Sequence, residues 1–367
     1  MTTLSEPPGL RALTATFLEQ QGEAAALLGS HLYATLARAA AADAGTGGVT
    51  WRILRPHATE DRGSALTLRF LAAVHRLVLQ GRAPGLAPFY PSVGGTLPPE
   101  GAWPAFHAVL EEHAGELAEL VGWACQTNEV GRAAGLLPGF LEAVRATGLP
   151  VRLLEIGASA GLQLRWDRFA FAWDEHPASH RWGRPDSPVR LSGHWDVPPG
   201  LLATTVEVVS RDGCDPDPVD IGTDEGRLRL RQSVWGDQPQ RLERLDGALE
   251  LAAVVPATVE RARAGDWLPA QLAEPAPGRL TVVYHSVVWQ YLAPEERDEV
   301  EAAIVAAGER ATADAPLAWV RSEPENILRA MRVRLTLWPG TQRGHEPLER
   351  LVAKAGAHGF PVRYQTP

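Results

Sequence analysis

The stretch Val151-Arg-Leu-Leu-Glu-Ile-Gly-Ala-Ser-Ala-Gly-Leu-Gln-Leu-Arg-Trp-Asp-Arg-Phe-Ala-Phe171 decides how this chain is read. Val151, Leu153, Leu154 and Ile156 form a run of strand-forming residues that ends in a loop of small residues. The pattern predicts a helix over 161–170 directly afterwards. A strand, a tight turn and a helix start in succession put outward-pointing backbone N–H groups beside glycines that let a ligand come close.

The residues around this stretch set its context. The chain has 367 residues, 45% of them hydrophobic and 22% charged. That is enough to bury a large core and predicts two domains or one large elaborated domain. The net charge of −9 excludes a general basic field for nucleic acid or an anionic membrane. Arg165 and Arg168 are the one place where a local basic groove is considered. Cys125 and Cys214 have no near partner, so neither a disulfide framework nor a zinc site is expected, and the usage suits a reducing cytoplasm. No secretory leader and no membrane span is read in the sequence. The expectation is a cytoplasmic protein with a small-molecule substrate, no nucleic acid, no membrane and no metal; oligomeric state is not legible.

Residues 1–148 read as a helical domain that serves as a lid or substrate-recognition part. Leu28, Leu32 and Leu36 recur at helical spacing behind Phe17 and Leu18. Ser64 reads as an N-cap for a helix carrying Leu66, Phe70, Val74 and Leu77. The period returns from Phe106 to Leu120, after a loop over 83–104 rich in Pro and Gly. A last helix is predicted over Asn128–Ala146, stopping at Gly148–Pro150. Residues 149–367 read as alternating strands and helices, which predicts a parallel sheet with covering helices. Strands are expected at 151–156, 204–210, 280–287, 316–322, 331–338 and 361–365, with a short one before Gly265–Asp266. Helices are expected at 238–252, 294–308 and 345–357. An insertion at about 172–203 carries its own strand near 188–195.

Two chemistries fit the turn. Gly157-Ala158-Ser159-Ala160-Gly161 matches the G-x-S-x-G nucleophile elbow, and Glu323 and His358 follow in the order a Ser-acid-His triad needs. The same residues, with Glu155 ahead of them, resemble the first motif of class I S-adenosylmethionine (SAM) methyltransferases, an acidic residue followed by a glycine-rich loop. What precedes the turn favours the second. A hydrolase places several sheet strands before its nucleophile, whereas the 150 residues before this turn read as helices. The resemblance implies a Rossmann-like α/β sheet and SAM as cofactor, with Glu155, Gly157, Ala158, Ser159 and Gly161 around the methionine part. It implies that Asp215 (Asp212 as second choice) meets the ribose and Asp266 the adenine. Either acid could instead be an ordinary turn or cap residue.

Asn128, Glu129 and Arg132 cluster in otherwise apolar sequence and are candidates for the substrate side, with Asn128 and Arg132 on one helical face. His285, near the end of the predicted fourth strand, is read as a general base, as packing against the cofactor, or as a histidine satisfied by backbone hydrogen bonds; Glu129 is a second candidate for acid-base work. Trp267, Trp289 and Tyr291 are candidate pocket walls.

Taken in order, HLYATLARAAAADAG, FYPSVGG, QTNEVGRAAGLLP, LLEIGASAGLQLRWDRF, RDGCDPDPVD, VWGDQPQRLERL, VVYHSVVWQYL and LAWVRSEPE resemble a bacterial family named as domain of unknown function 2332. The chain departs from that pattern at HLY, where SPLY is expected, and at Gln163, where Asn is usual. The resemblance implies a methyltransferase-like α/β fold behind a helical N-terminal part and implies no particular reaction. The function expected is therefore SAM-dependent methyl transfer to a small molecule. A SAM- or nucleotide-binding module without turnover and a serine hydrolase using Ser159 are the alternatives.

Overall fold

The computed structural model describes residues 9–60, 65–176, 178–325, 330–340 and 347–366. The N-cap expected at Ser64 lies outside the described residues. Contacts divide the chain elsewhere than at the expected 148/149 boundary. One compact unit comprises residues 1–127 with 221–242, the other 128–220 with 243–367.

The chain begins in the first unit with α1 (Leu10–Leu27), α2 (His31–Thr46), α3 (Val49–Leu54), α4 (Leu66–Leu79), α5 (Trp103–Glu112) and α6 (Ala114–Val121). Leu28 does not share a helix with Leu32. The chain breaks at Gly29 (φ +79), and Ser30 caps α2 by accepting the Tyr33 amide. The apolar period from Phe106 to Leu120 is likewise two helices, divided at His113. Leu18, Leu36, Phe70, Leu77, Phe106 and Leu117 meet in one core.

The second unit opens with α7 (Ala133–Thr147), β1 (Val151–Ile156), β2 (Ala170–Trp173), β3 (Arg181–Gly183), β4 (Arg190–Gly193), α8 (Pro199–Leu202) and β5 (Val208–Asp215). The chain then returns to the first unit for α9 (Asp224–Ser233). There Asp237 accepts from Ser30 Oγ (2.6 Å) and Leu32 N (2.9 Å), and Trp235 stacks on Tyr33 (5.6 Å), which ties the returning segment to α2. After α10 (Pro239–Val254) come β6 (Thr258–Arg261), α11 (Ala264–Gln271), β7 (Leu280–Ser286), α12 (Pro294–Glu309), β8 (Leu317–Pro324), β9 (Met331–Trp338), β10 (Leu348–Gly356) and β11 (Gly359–Tyr364).

Eight strands form one sheet in the order β11-β10-β9-β8-β7-β1-β5-β6. The pairs β6–β5, β5–β1, β1–β7 and β7–β8 are parallel; β8–β9, β9–β10 and β10–β11 are antiparallel. This is the Rossmann-like α/β sheet the sequence predicts, extended by an antiparallel meander it does not. Residues 345–346 of the helix expected over 345–357 lie outside the described residues, and 348–356 form the strand β10. Its apolar residues are compatible with helical spacing, but β9 and β11 offer it a hydrogen-bonded ladder on both sides, and pairing overrides local preference.

Helices cover both faces. On one, Leu154, Ile156, Val283 and Trp319 pack with Leu268 of α11 and Val300 and Ile304 of α12. On the other lies α7, whose Phe140 meets Tyr284 edge to face at 5.1 Å. Gly135 and Gly139 let α7 lie close to the sheet: a Cβ on either would stand 2.8 Å from Ala355 or Val320. This is why α7 belongs with the sheet and not with the helices before it. The 172–203 insertion is a small sheet, β3-β2-β4, with its predicted strand present as β4.

The helix expected over 161–170 is a 3-10 segment, Leu162–Arg168, kinked at Arg165. Every residue from Leu162 to Trp166 is buried, so the segment has no polar stripe on which a longer surface helix could rest. It is held to β5 instead. Arg211 makes a two-pronged ion pair with Asp167 (2.7 and 2.8 Å) and donates to Leu164 O (2.6 Å). Both side chains are about 7% exposed. At the place considered for a local basic groove, Arg165 is buried and Arg168 pairs with Asp167. Replacing Asp167 with Ala strands a buried guanidinium and should cost about 3–5 kcal/mol of stability in urea unfolding. A loss below about 1 kcal/mol would contradict this account.

Candidate functional site

The turn after β1 takes positive φ at three of five residues: Gly157 (+66), Ser159 (+54) and Gly161 (+66). Left-handed backbone is rare for a serine and is kept only when the surroundings enforce it. Here they do. Ala158 N donates to Cys214 O (2.9 Å), Gly161 N to Ala158 O (2.7 Å) and Val219 N to Ser159 O (3.2 Å). Ser159 N donates to Asp215 Oδ2 (2.9 Å), and Arg165 Nη1 to Gly161 O (2.7 Å). From the other side, a Cβ on Gly157 would stand 2.5 Å from Val288 Cγ2.

Asn128 spans the turn. Its Nδ2 donates to Ala158 O (3.2 Å) and its Oδ1 accepts from Leu162 N (3.0 Å). The residue has φ +28 and precedes a 3-10 turn at Val130–Arg132, so the helix expected from Asn128 begins only at Ala133. The shared helical face of Asn128 and Arg132 therefore does not form. Arg132 donates to Ala357 O (3.2 Å) and Ser286 O (3.5 Å). Glu129 is buried and accepts from Gly131 N, while its carbonyl receives Gln163 Nε2 (3.1 Å).

Asp215 ends β5, and its second oxygen accepts from Asp217 N (2.8 Å). The strand runs from Val208 to Asp215, later than the expected 204–210. Asp212 consequently sits inside the strand opposite Leu154, not at its end. Asp215 is in register with Arg261, the last residue of β6. Asp266 follows in the first turn of α11, exposed and paired with Arg263 at 3.5 Å. Of the predicted cofactor residues, the structure joins Asp215 to the glycine turn by a direct hydrogen bond; Asp266 lies farther out, on the helix after the neighbouring strand.

Glu155 points to the face covered by α7, where Tyr284 OH donates to its Oε2 (3.1 Å). Burial pushes this carboxyl up to about 8, against the Tyr284 bond, with the nearby Asp215 adding to the rise. Near neutral pH it is largely a neutral acid. Its partner Tyr284 escapes a reading that stops at the glycine loop. The period of two along β7 holds the signal, because Tyr284 lies in register with Glu155 and Ser286 shares its face. Ser286 Oγ receives Gln163 Nε2 (3.3 Å), so Gln163 ties β7 to the backbone of Glu129.

His285 faces the opposite side of the sheet. It is fully buried, and its Nδ1 lies 2.6 Å from Glu323 Oε1. That oxygen also accepts from Val288 N (3.0 Å) and Trp289 N (3.4 Å). Glu323 is thus joined to His285, and His358 stands in the β10–β11 turn. Ser159 Oγ is buried with no hydrogen-bond partner among the described residues. Of the candidate walls, Trp267 is core and bonds Glu260 (2.9 Å), Trp289 stacks on His285 at 5.2 Å, and Tyr291 is exposed.

The Glu155 carboxyl has a consequence for stability. The folded chain holds its proton between about 4.5 and about 8, where the unfolded chain has released it. Stability contributed at this site therefore falls as pH rises through that window. Glu155→Gln should flatten the pH dependence of the unfolding free energy there. Parallel slopes for wild type and variant would refute the assignment.

Among the described residues no cluster of three or more His, Cys, Asp or Glu stands ready to hold a metal ion, and no helix is long and apolar enough to cross a membrane. No curated protein and no solved structure matches the chain. A family model does match, over residues 15–364, nearly end to end. The chain belongs to the family described as "Uncharacterized protein conserved in bacteria (DUF2332)".

Proposed function

We propose that this protein is a cytoplasmic SAM-dependent methyltransferase acting on a small molecule. One observation carries the reading. The glycine turn leaves β1 where the order of the parallel strands reverses, and the carboxylate ending the adjacent β5 is bonded to that turn's backbone. In open parallel sheets, ligands bind outside the carboxyl ends of the strands at such a reversal. Class I methyltransferases use this place for the adenosyl group.

The residues present fit SAM. Ser159 Oγ is a buried hydroxyl without a partner among the described residues, in the middle of the turn. Gly157, Ala158, Ser159 and Gly161 would hold the methionine part. Asp215 would accept from the ribose hydroxyls and Asp266 from the adenine amino group. Glu155, committed to Tyr284, would hold the strand end that presents the turn. Asn128 would keep the turn open by bridging its two ends. Glu129 and Arg132 would face the acceptor, while His285 lies on the other face of the sheet, bonded to Glu323. Bound SAM would supply a methyl group on a sulfonium. The chain's own share is alignment of acceptor and methyl and exclusion of water, which by themselves accelerate such a transfer.

For the hydrolase alternative, no base among the described residues bonds the Ser159 hydroxyl. The acid expected to serve His358 is bonded to His285 instead. Labelling of Ser159 by a fluorophosphonate probe would revive it.

Calorimetry with S-adenosylhomocysteine tests the proposal. Wild type should give saturable heat, and Asp215→Asn should weaken binding about 10- to 100-fold through loss of charge-assisted bonds. Gly157→Ala should abolish it, since a Cβ there meets Val288 and φ is +66. No heat from wild type at millimolar ligand ends the reading. Heat without methyl transfer to any acceptor would leave a binding module.

A further inference from the structure

The loop that follows β7 holds a strained backbone of its own. Val287 has φ +57. Left-handed backbone is an outlier for a β-branched residue, and it persists only where the surroundings over-determine it.

Sheet register supplies those surroundings. Ser286 is paired with Ser322, so Val287 is level with Glu323 at the end of the β7–β8 ladder. Val287 N donates to Ser322 O (3.0 Å) and continues that ladder by one bond. The left-handed residue then turns the chain so that two successive amides, Val288 N (3.0 Å) and Trp289 N (3.4 Å), reach one oxygen of Glu323. His285 Nδ1 lies 2.6 Å from the same oxygen, and the Trp289 ring stacks on the His285 ring at 5.2 Å. Tyr291 N donates to Val288 O (2.8 Å) and closes the next turn.

The strained residue places its successor against the glycine turn. Both methyls of Val288 crowd Gly157: Cγ2 and Cγ1 stand 2.5 and 3.0 Å from where a Cβ would lie there. Gly157 opens the turn at φ +66, two residues before the left-handed Ser159. The hydrogen bonds that hold the rest of the turn come from β5, Asn128 and Arg165. The line from Glu323 through Val288 to Gly157 is a separate support. Without the carboxylate the two amides lose their acceptor, and a return of Val287 to negative φ carries Val288 away from Gly157.

We propose that Glu323 is a positioning residue for the glycine turn: through Val287 and Val288 it holds Gly157 in the conformation that receives ligand, without touching ligand itself. The identity of that ligand rests on the SAM reading; the effect on the turn does not.

Hydrogen exchange by mass spectrometry follows the amides of residues 157–161. Glu323→Ala should speed their exchange about tenfold or more, together with Val288 and Trp289, while β1 keeps its protection. Adding Val287→Gly to Glu323→Ala should slow the turn again, because glycine takes φ +57 without strain. A plain loss of packing is not repaired by removing a further side chain. Glu323→Gln, whose amide oxygen can accept the same two N–H groups, should stay nearer wild type than Glu323→Ala. Calorimetry with S-adenosylhomocysteine should follow the same order, with binding about tenfold weaker in Glu323→Ala. Exchange at 157–161 that is unchanged in Glu323→Ala, or not slowed by Val287→Gly, overturns the proposal. So does a wild type that binds S-adenosylhomocysteine no more tightly than Glu323→Ala. If Glu323→Ala fails to fold, Val288→Ala takes its place, since it removes the contact and keeps the carboxylate bonds; unchanged exchange of the turn there also overturns the proposal. No heat from wild type ends the SAM reading alone, and exchange still decides the role of Glu323.

Discussion

The bond between the Ser159 amide and the Asp215 carboxylate is the constraint around which the second unit is organised. It joins the carboxyl ends of two neighbouring parallel strands through a backbone that a serine adopts only when compelled. Asn128 braces the turn from one side and Arg165 from another, while Val288 leaves no space for a side chain at Gly157. A site for a polar ligand has to be rigid before the ligand arrives, or the ordering cost comes out of affinity. This turn is rigid by over-determination, with several independent contacts enforcing each unusual dihedral.

The rest of the unit supports that arrangement in layers. Gln163, two residues past the turn, links Ser286 of β7 to the Glu129 backbone, and Tyr284 links β7 to Glu155 of β1. Arg211 and Asp167 clamp the 3-10 segment onto β5. Gln163 thus ties a loop to the end of β7, Tyr284 joins two neighbouring strands, and Arg211 anchors the 3-10 segment from within β5. The Glu323 carboxylate does the same on the other face, gathering His285 and the amides of Val288 and Trp289. Val288 is also the residue that abuts Gly157, so the two faces of the sheet meet at one position.

The parallel part of the fold was legible because its signals are local. Val151, Leu153, Leu154 and Ile156 make β1 a mostly apolar run broken by Arg152 and Glu155, and Leu280–Ser286 is fully buried, as a central parallel strand should be. The glycine spacing and the acid ending β5 could be read in the same way. The errors fall where a long-range partner decides. Residues 348–356 carry a pattern that a helix or a strand can use, and only the flanking strands choose. Asn128 and Arg132 are four apart, yet Asn128 is drawn out of helical geometry to cap a turn thirty residues away. Glu323 has a histidine partner, but it is His285, brought alongside by sheet register, and not the later His358.

The order of elements, the glycine turn and the acids near it follow from composition and spacing, since strand runs, turn residues and helix periods act over a few positions. The division into units, the antiparallel meander, the neutral state of Glu155 and the pairing of His285 with Glu323 were set by the tertiary structure. Each depends on which distant side chain or strand edge comes within a few ångströms, and on how much water is excluded when it does. Those quantities exist only once the chain has folded.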